Sequence, residues 1–232
     1  VRRSASTLVL LAALAAWAPA AGAATLTLDR GCYLSKQPAL PNGQTIAVRG
    51  AGFTPGAQVS FTLGSASLGA IPADAAGNVA GQFQPPSLGG AGSFRDTRIL
   101  IATDGTNQGT APVPLRRVAA DFLPAAGRPS THRVNFYVYG FGPLLTAQRR
   151  STNQPVYEHV FDPAGKLRAT FRVGRTSGPC GDLKTTRRRV LPFAHPANGR
   201  WSFIFTTKPR YSRRSIPGAG VGYQVTTVFR PR

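Results

Sequence analysis

Residues 74–83 read DAAGNVAGQF, and residues 162–171, 88 positions later, read DPAGKLRATF. No other feature restricts the fold as much, because the same register continues without a gap. Under it Ile46 falls on Val134, Val48 on Phe136, Gly52-Phe53 on Gly140-Phe141 and Pro55 on Pro143. Farther along, Leu68 falls on Val156, Asp74 on Asp162, Gly77 on Gly165 and Phe83 on Phe171. Matches in separate phrases at one offset indicate a tandem duplication, so the chain builds one small fold twice. Each phrase also reads as the same hairpin turn. Its Asp can accept hydrogen bonds from the turn backbone, its Gly can hold a positive φ, and Pro163 presets the second turn position. A lone carboxylate in each turn falls short of the oxygen ligands a calcium loop needs, so a turn is expected rather than a metal site.

The hydrophobic period of the repeat is two. IAVRG, VSFTL, RILIA, VNFYVYG, VYEHVF, LRATFRV and WSFIFTT are short, β-rich and bounded by turn formers. Gly (26) and Pro (20) suit many turns, and 42% hydrophobic residues suffice for packed cores. About ninety residues per unit with no convincing amphipathic helix predicts an all-β chain of two tandem immunoglobulin-like β-sandwich domains. The expected division is residues 25–118 and 119–232, the second with an additional C-terminal strand over Tyr223–Phe229.

Gly50-Ala51-Gly52-Phe53-Thr54-Pro55-Gly56, followed by Val59, Leu68-Gly69, Ala73-Asp74 and Gly77, resembles the bacterial surface Ig-like repeat G-x-G-F-x-P-G…V…L-G…A-D-x-x-G. The resemblance covers about residues 44–115. It implies the secreted or wall-associated setting of actinobacterial modules that act as spacers, adhesion modules and carbohydrate-contacting domains, and it transfers no catalytic motif. In the second half Gly56 becomes Leu144 and Val59 becomes Ala147, so that half is a diverged copy.

Residues 1–24 predict a secretory signal peptide: Arg2-Arg3, an apolar run from Leu8 to Trp17, then the small-x-small patterns Ala21-Gly22-Ala23 and Gly22-Ala23-Ala24. The run is too short to span a bilayer, and no later window has the length of a membrane helix. A secreted or cell-surface protein is expected. Cys32 and Cys180, one in each half, then either form a single internal disulfide or stay free or pair between molecules. An internal bridge is expected to make the two units fold back on each other, since an end-to-end tandem separates a first strand from a distant insert.

Charge separates the copies. Residues 25–118 carry seven basic and four acidic side chains, residues 119–232 nineteen and four, net +3 against +15. The second copy adds Arg149 and Arg150 in AQRRSTNQP, then Arg187, Arg188 and Arg189 in the segment that holds Cys180 and His195. These five arginines are the candidate binding residues, for an anionic cell-wall polymer or acidic glycan. Nucleic acid feels the same field, but no nucleic-acid module is present and an exported protein seldom meets that partner. Tyr137, Tyr139 and Tyr157 could add stacking surfaces. The competing reading is a hydrolase or metal-dependent enzyme centred on His159, His195 and Glu158. No ligand spacing or G-x-S-x-G elbow accompanies those residues, so no catalytic residue, metal or cofactor is expected. His159 aligns with the strand residue Ile71 and reads as a structural histidine.

Overall fold

The computed structural model describes residues 23–38, 40–90, 93–124, 131–147, 152–194, 196–212 and 222–229. The first unit contains β1 (Thr25–Leu28), β2 (Tyr33–Leu34), β3 (Ile46–Ala51), β4 (Gln58–Leu63), β5 (Ala66–Pro72), β6 (Val79–Phe83), β7 (Arg95–Thr103) and β8 (Gln108–Arg116). They form a three-stranded sheet, β1-β3-β6, and a five-stranded sheet, β2-β8-β7-β4-β5. Alternation aims one side of each strand inward. Ile46 and Val48 meet Val59, Phe61, Leu63, Val113 and Leu115 between the sheets, all at most 1% exposed.

The second unit contains β9 (Ala119–Leu123), β10 (Arg133–Tyr139), the short helix α1 (Phe141–Ala147), β11 (Pro155–Phe161), β12 (Leu167–Arg175), β13 (Leu183–Lys184), β14 (Arg188–Arg189), β15 (Gly199–Thr206) and β16 (Gly222–Phe229). β10 pairs with β9, β13 and β14, and faces a second sheet ordered β12-β11-β15-β16. The core between them is aromatic: Phe122, Phe136, Phe203 and Phe205 lie in linked ring contacts with centroids 5.6 to 6.4 Å apart. The chain is thus all-β, with two immunoglobulin-like sandwiches in tandem. The expected C-terminal strand is present as β16, which hydrogen-bonds β15 as β8 does β7.

The repeated phrase makes the same local turn in both copies. Asp74 Oδ1 accepts from the backbone N–H of Ala76 and Asn78, and Asp162 Oδ1 accepts from those of Ala164 and Lys166. Gly77 and Gly165 each have φ of 76°. Beyond the turn the copies diverge, which corrects the expectation of one hairpin used twice. In the first unit the turn links β5 to β6, strands of different sheets, and docks on the Gly-Phe corner, where Phe53 N–H donates to Gly77 C=O at 3.1 Å. In the second unit it closes a true hairpin, β11–β12. There the Gly-Phe corner docks on the cysteine segment instead, through Gly142 N–H to Cys180 C=O at 2.9 Å.

Among the described residues, no strand of the second unit aligns with β4. The residues aligned with β4 begin in α1, where Pro143 occupies the first turn at no hydrogen-bond cost and Leu144, Leu145 and Ala147 favour helix. β11 then takes the place beside β15 that β4 holds beside β7, and β12 follows it. The vacated position beside β10 is filled by β13 and β14 from the insert. Of the expected leader, residues 1–22 lie outside the described residues. Ala23 and Ala24 belong to the folded unit: Ala23 bridges Gln108, and Ala24 is buried and donates its N–H to the carbonyl of Gln108.

Candidate functional site

The two units are fastened where the chain passes between them. Cys32 and Cys180 form a disulfide with Cα atoms 5.2 Å apart. No folding back is needed, contrary to expectation, because β2 runs parallel beside the last residues of β8 (Tyr33 opposite Leu115). Cys32 therefore sits at the exit of the first unit. Around the bridge, Arg116 Nε donates to Asp182 Oδ2 at 2.8 Å, and Asp182 Oδ1 accepts from Gly140 N–H at 3.1 Å. Phe94 of the first unit stacks on Tyr139 of the second, centroids 5.7 Å apart.

That ring contact begins a continuous outward face. Along β10, Val134, Phe136 and Val138 point into the core, so Arg133, Asn135, Tyr137 and Tyr139 point away from it. Tyr139 and Tyr137 are near-parallel, with centroids 6.3 Å apart, and Lys184 from β13 lies 5.7 Å from the Tyr137 ring centre. At the far end, Arg189 is directly opposite Arg133 in the β10–β14 ladder. Arg133 Nη2 donates to the Arg187 carbonyl and Arg187 Nε donates to the Arg133 carbonyl, each at 3.3 Å. These reciprocal bonds hold like charges together, a pairing that is unfavourable without a counter-charge. No ion pair among the described residues involves Arg133, Arg187 or Arg189. The face is a row of three rings running into three guanidiniums that have no ion-pair partner among the described residues.

Arg188 does not share that face. Strand alternation turns it inward, opposite Val134, where its guanidinium lies 5.8 Å from the Phe136 ring centre and 5.2 Å from that of Phe171. It approaches Glu158 Oε2 at 3.9 Å, across the sandwich. Glu158 is fully buried, and burial pushes its carboxyl up to about 8 against the opposing pull of Arg188. Arg149, Arg150 and His195 lie outside the described residues. Tyr157 projects from the other sheet, where its cross-strand partner is Arg172.

Glu158 and His159 are consecutive on β11, so their side chains leave opposite faces of the sheet. His159 is fully buried between two hydroxyls, Nδ1 to Thr170 Oγ1 and Nε2 to Thr206 Oγ1, both 2.9 Å. Thr206 Oγ1 donates to the Lys208 carbonyl at 2.9 Å, so it accepts from His159. That order fixes the proton on Nε2 and leaves Nδ1 as acceptor for the Thr170 hydroxyl. Burial lowers the readiness of His159 to charge. The unfolded chain, titrating near 6.5, therefore takes up a proton that the folded chain refuses, and the His159 contribution to stability falls as pH drops below that value. His159→Gln keeps hydrogen bonds to both threonines without titrating. Between about pH 7.5 and about pH 5.5 the unfolding midpoint of His159→Gln should fall less than that of the parent, and equal falls would contradict this role.

Two contributors to the basic face escaped sequence reading. Arg133 lies in a strand far from the arginine run, and Lys184 stands three residues before that run; only the pairing of β10 with the insert brings them onto one face. Arg188 could have been separated from its neighbours by applying the two-residue period to the run itself.

No protein-family model matches the chain, and no curated protein does either. Among solved structures, a tetra-tandem repeat from the extending region of a large adhesion protein aligns with 90% of this chain at 13% identity and a TM-score of 0.27. The chain spans about half of that protein's length, 49%. Fibronectin(III)-like modules of Clostridium thermocellum CbhA align over 88% of this chain and 94% of theirs, at 9% identity and a TM-score of 0.26. The BSP domain of a biofilm-associated protein aligns over 80% of this chain and 27% of its own, at 10% identity and a TM-score of 0.23.

Proposed function

We propose that this is an exported, non-catalytic surface protein, with modules dividing near residue 118, that contacts an anionic polymer through the outward face of β10. The observation that carries the reading is the cluster of Arg133 and Arg187, joined by reciprocal bonds to each other's backbone, with Arg189 opposite Arg133 in the ladder and no carboxylate paired with any of the three among the described residues. Such a site gains most from a multivalent anion, because one chain of phosphates, sulfates or uronates neutralises several guanidiniums at once. Phe94, Tyr139 and Tyr137 extend the face across the junction, and the disulfide keeps the row aligned. A disulfide at this position suits an oxidising compartment outside the cytoplasm. Removal of the leader after Ala23 keeps the buried Ala24 in the folded unit, whereas cleavage one residue later would remove it.

Retention on immobilised heparin, with elution by salt, tests the reading. Arg189→Ala should elute at lower salt while its thermal midpoint holds or rises, because one member of a like-charged pair has gone. Unchanged elution of Arg189→Ala would remove this face from the binding account.

A further inference from the structure

The hollow between the second copy of the repeated turn and an aromatic pair lies on the other sheet, outside the basic face. Its volume is about 230 Å³, and its lining includes Asp162, Pro163, Arg168, Phe193, Pro196 and Trp201. In the first unit no equivalent space can form, because the turn docks on the Gly-Phe corner and a Cβ at Gly77 would lie 2.3 Å from the Phe53 carbonyl oxygen. In the second unit the turn is released from that corner, and a Cβ at Gly165 would meet nothing within 4 Å. The insert supplies the opposite wall. Trp201, only 2% exposed, donates its indole N–H to the Ala197 carbonyl at 2.8 Å and supports the Phe193 ring, 5.6 Å away at an interplanar angle of 23°. Phe193 is the half-buried ring that a ligand meets.

The polar groups are few and converge. Asp162 spends Oδ1 on the turn, while Oδ2 has one hydrogen-bond partner among the described residues, Arg168 Nη1 at 3.4 Å. The backbone N–H of Lys166, then Arg168 and the N–H of Ala164, hold the carboxyl below the usual range, so it is an acceptor at neutral pH. Arg168 remains half-exposed, with donors to spare. One carboxylate beside one guanidinium leaves the hollow near neutrality in a half that carries net +15. A neutral ligand with one apolar face and several adjacent hydroxyls fits these walls: the face lies on Phe193 and the hydroxyls donate to Asp162 and accept from Arg168. We propose that this hollow binds one neutral pyranose ring, a site distinct from the anionic-polymer face.

The test uses the full chain with D-glucose, D-galactose, D-mannose and N-acetyl-D-glucosamine, each titrated separately. Saturation-transfer NMR and tryptophan emission report binding, the latter because Trp201 is the floor of the site. At least one sugar should bind saturably, with affinity at least about fivefold lower in Phe193→Ala and in Arg168→Ala. Phe193→Tyr should retain it. Arg168→Ala guards against misfolding, since that side chain is at the surface, and a far-ultraviolet spectrum checks both variants. Absence of saturable binding by all four sugars, or binding unchanged by both alanine variants, overturns the proposal. Binding of a proline-rich peptide in place of the sugars overturns it as well. Heparin retention is independent of these residues, so either site can fail without the other.

Discussion

Replacing Cys32 and Cys180 with serine is expected to lower the unfolding free energy by about 2–5 kcal/mol. The bridge closes a sequence separation of 148 residues, so it restricts the unfolded ensemble of both units at once. The folded state loses an anchor as well. Cys180 C=O receives the Gly142 N–H, and Pro179 packs against Gly31, where a Cβ would stand 3.0 Å from its side chain. Without the bridge, the ties at the junction include the Arg116–Asp182 pair, the Phe94–Tyr139 stack, the Val118 N–H donated to Gln37 Oε1 and the packing of Pro179 on Gly31. Urea unfolding should then separate into two transitions, since each sandwich keeps its own core. A midpoint that is the same with and without reductant would contradict a structural role for the bridge.

Arg188→Ala is expected to cost about 2–5 kcal/mol near neutral pH, at the scale of emptying a large side-chain site in a core, since the Glu158 carboxyl is largely protonated there. Three losses coincide. The guanidinium leaves the contacts with Phe136 and Phe171, a cavity opens between the sheets, and Glu158 loses the single cation facing it among the described residues. The pH dependence separates these causes. In the parent, the Glu158 carboxyl is raised from 4.5 to about 8, so its contribution is complete below 4.5 and is lost as pH rises through that window. Removing Arg188 raises the folded value further, so the loss continues above about pH 8 and the deficit of the variant widens there. Glu158→Leu combined with Arg188→Met should recover most of the stability, because a packed apolar pair replaces a buried carboxyl and guanidinium that are costly to desolvate. A deficit independent of pH would assign the whole effect to packing.

Most strands were legible because alternation is local. VNFYVYG, VYEHVF and WSFIFTT place Phe136, Val160 and Phe203 inward by counting alone. The turns were legible because Asp and Gly satisfy them within five residues. Strand partners were not, since the phrase that follows each turn is the same while its neighbour in the sheet is set elsewhere. DAAGNVAGQF delivers β6 to β3, but DPAGKLRATF delivers β12 to β11, because the residues aligned with β4 begin in a helix and an insert occupies the place beside β10. The same long-range substitution hid the basic face. The arginine run was visible, yet Arg133 joins it only through the β10–β14 ladder and Arg188 leaves it through strand alternation. The disulfide's position depended on β2, two residues that pair parallel to β8 and carry no periodic signal.

Charge-matched substitution separates a built anion site from the diffuse field of a strongly basic protein. One variant carries Arg133→Ala, Arg187→Ala and Arg189→Ala. The other carries Arg172→Ala, Arg200→Ala and Arg210→Ala, three exposed arginines on or beyond strands of the opposite sheet. Both lose the same net charge. Binding of linear polyphosphate, measured over a series of salt concentrations, should weaken strongly in the first variant, with the log–log salt slope shallower by roughly three. The second variant should stay close to the parent. Equal weakening of the two would contradict a dedicated face and leave only net charge as the source of affinity.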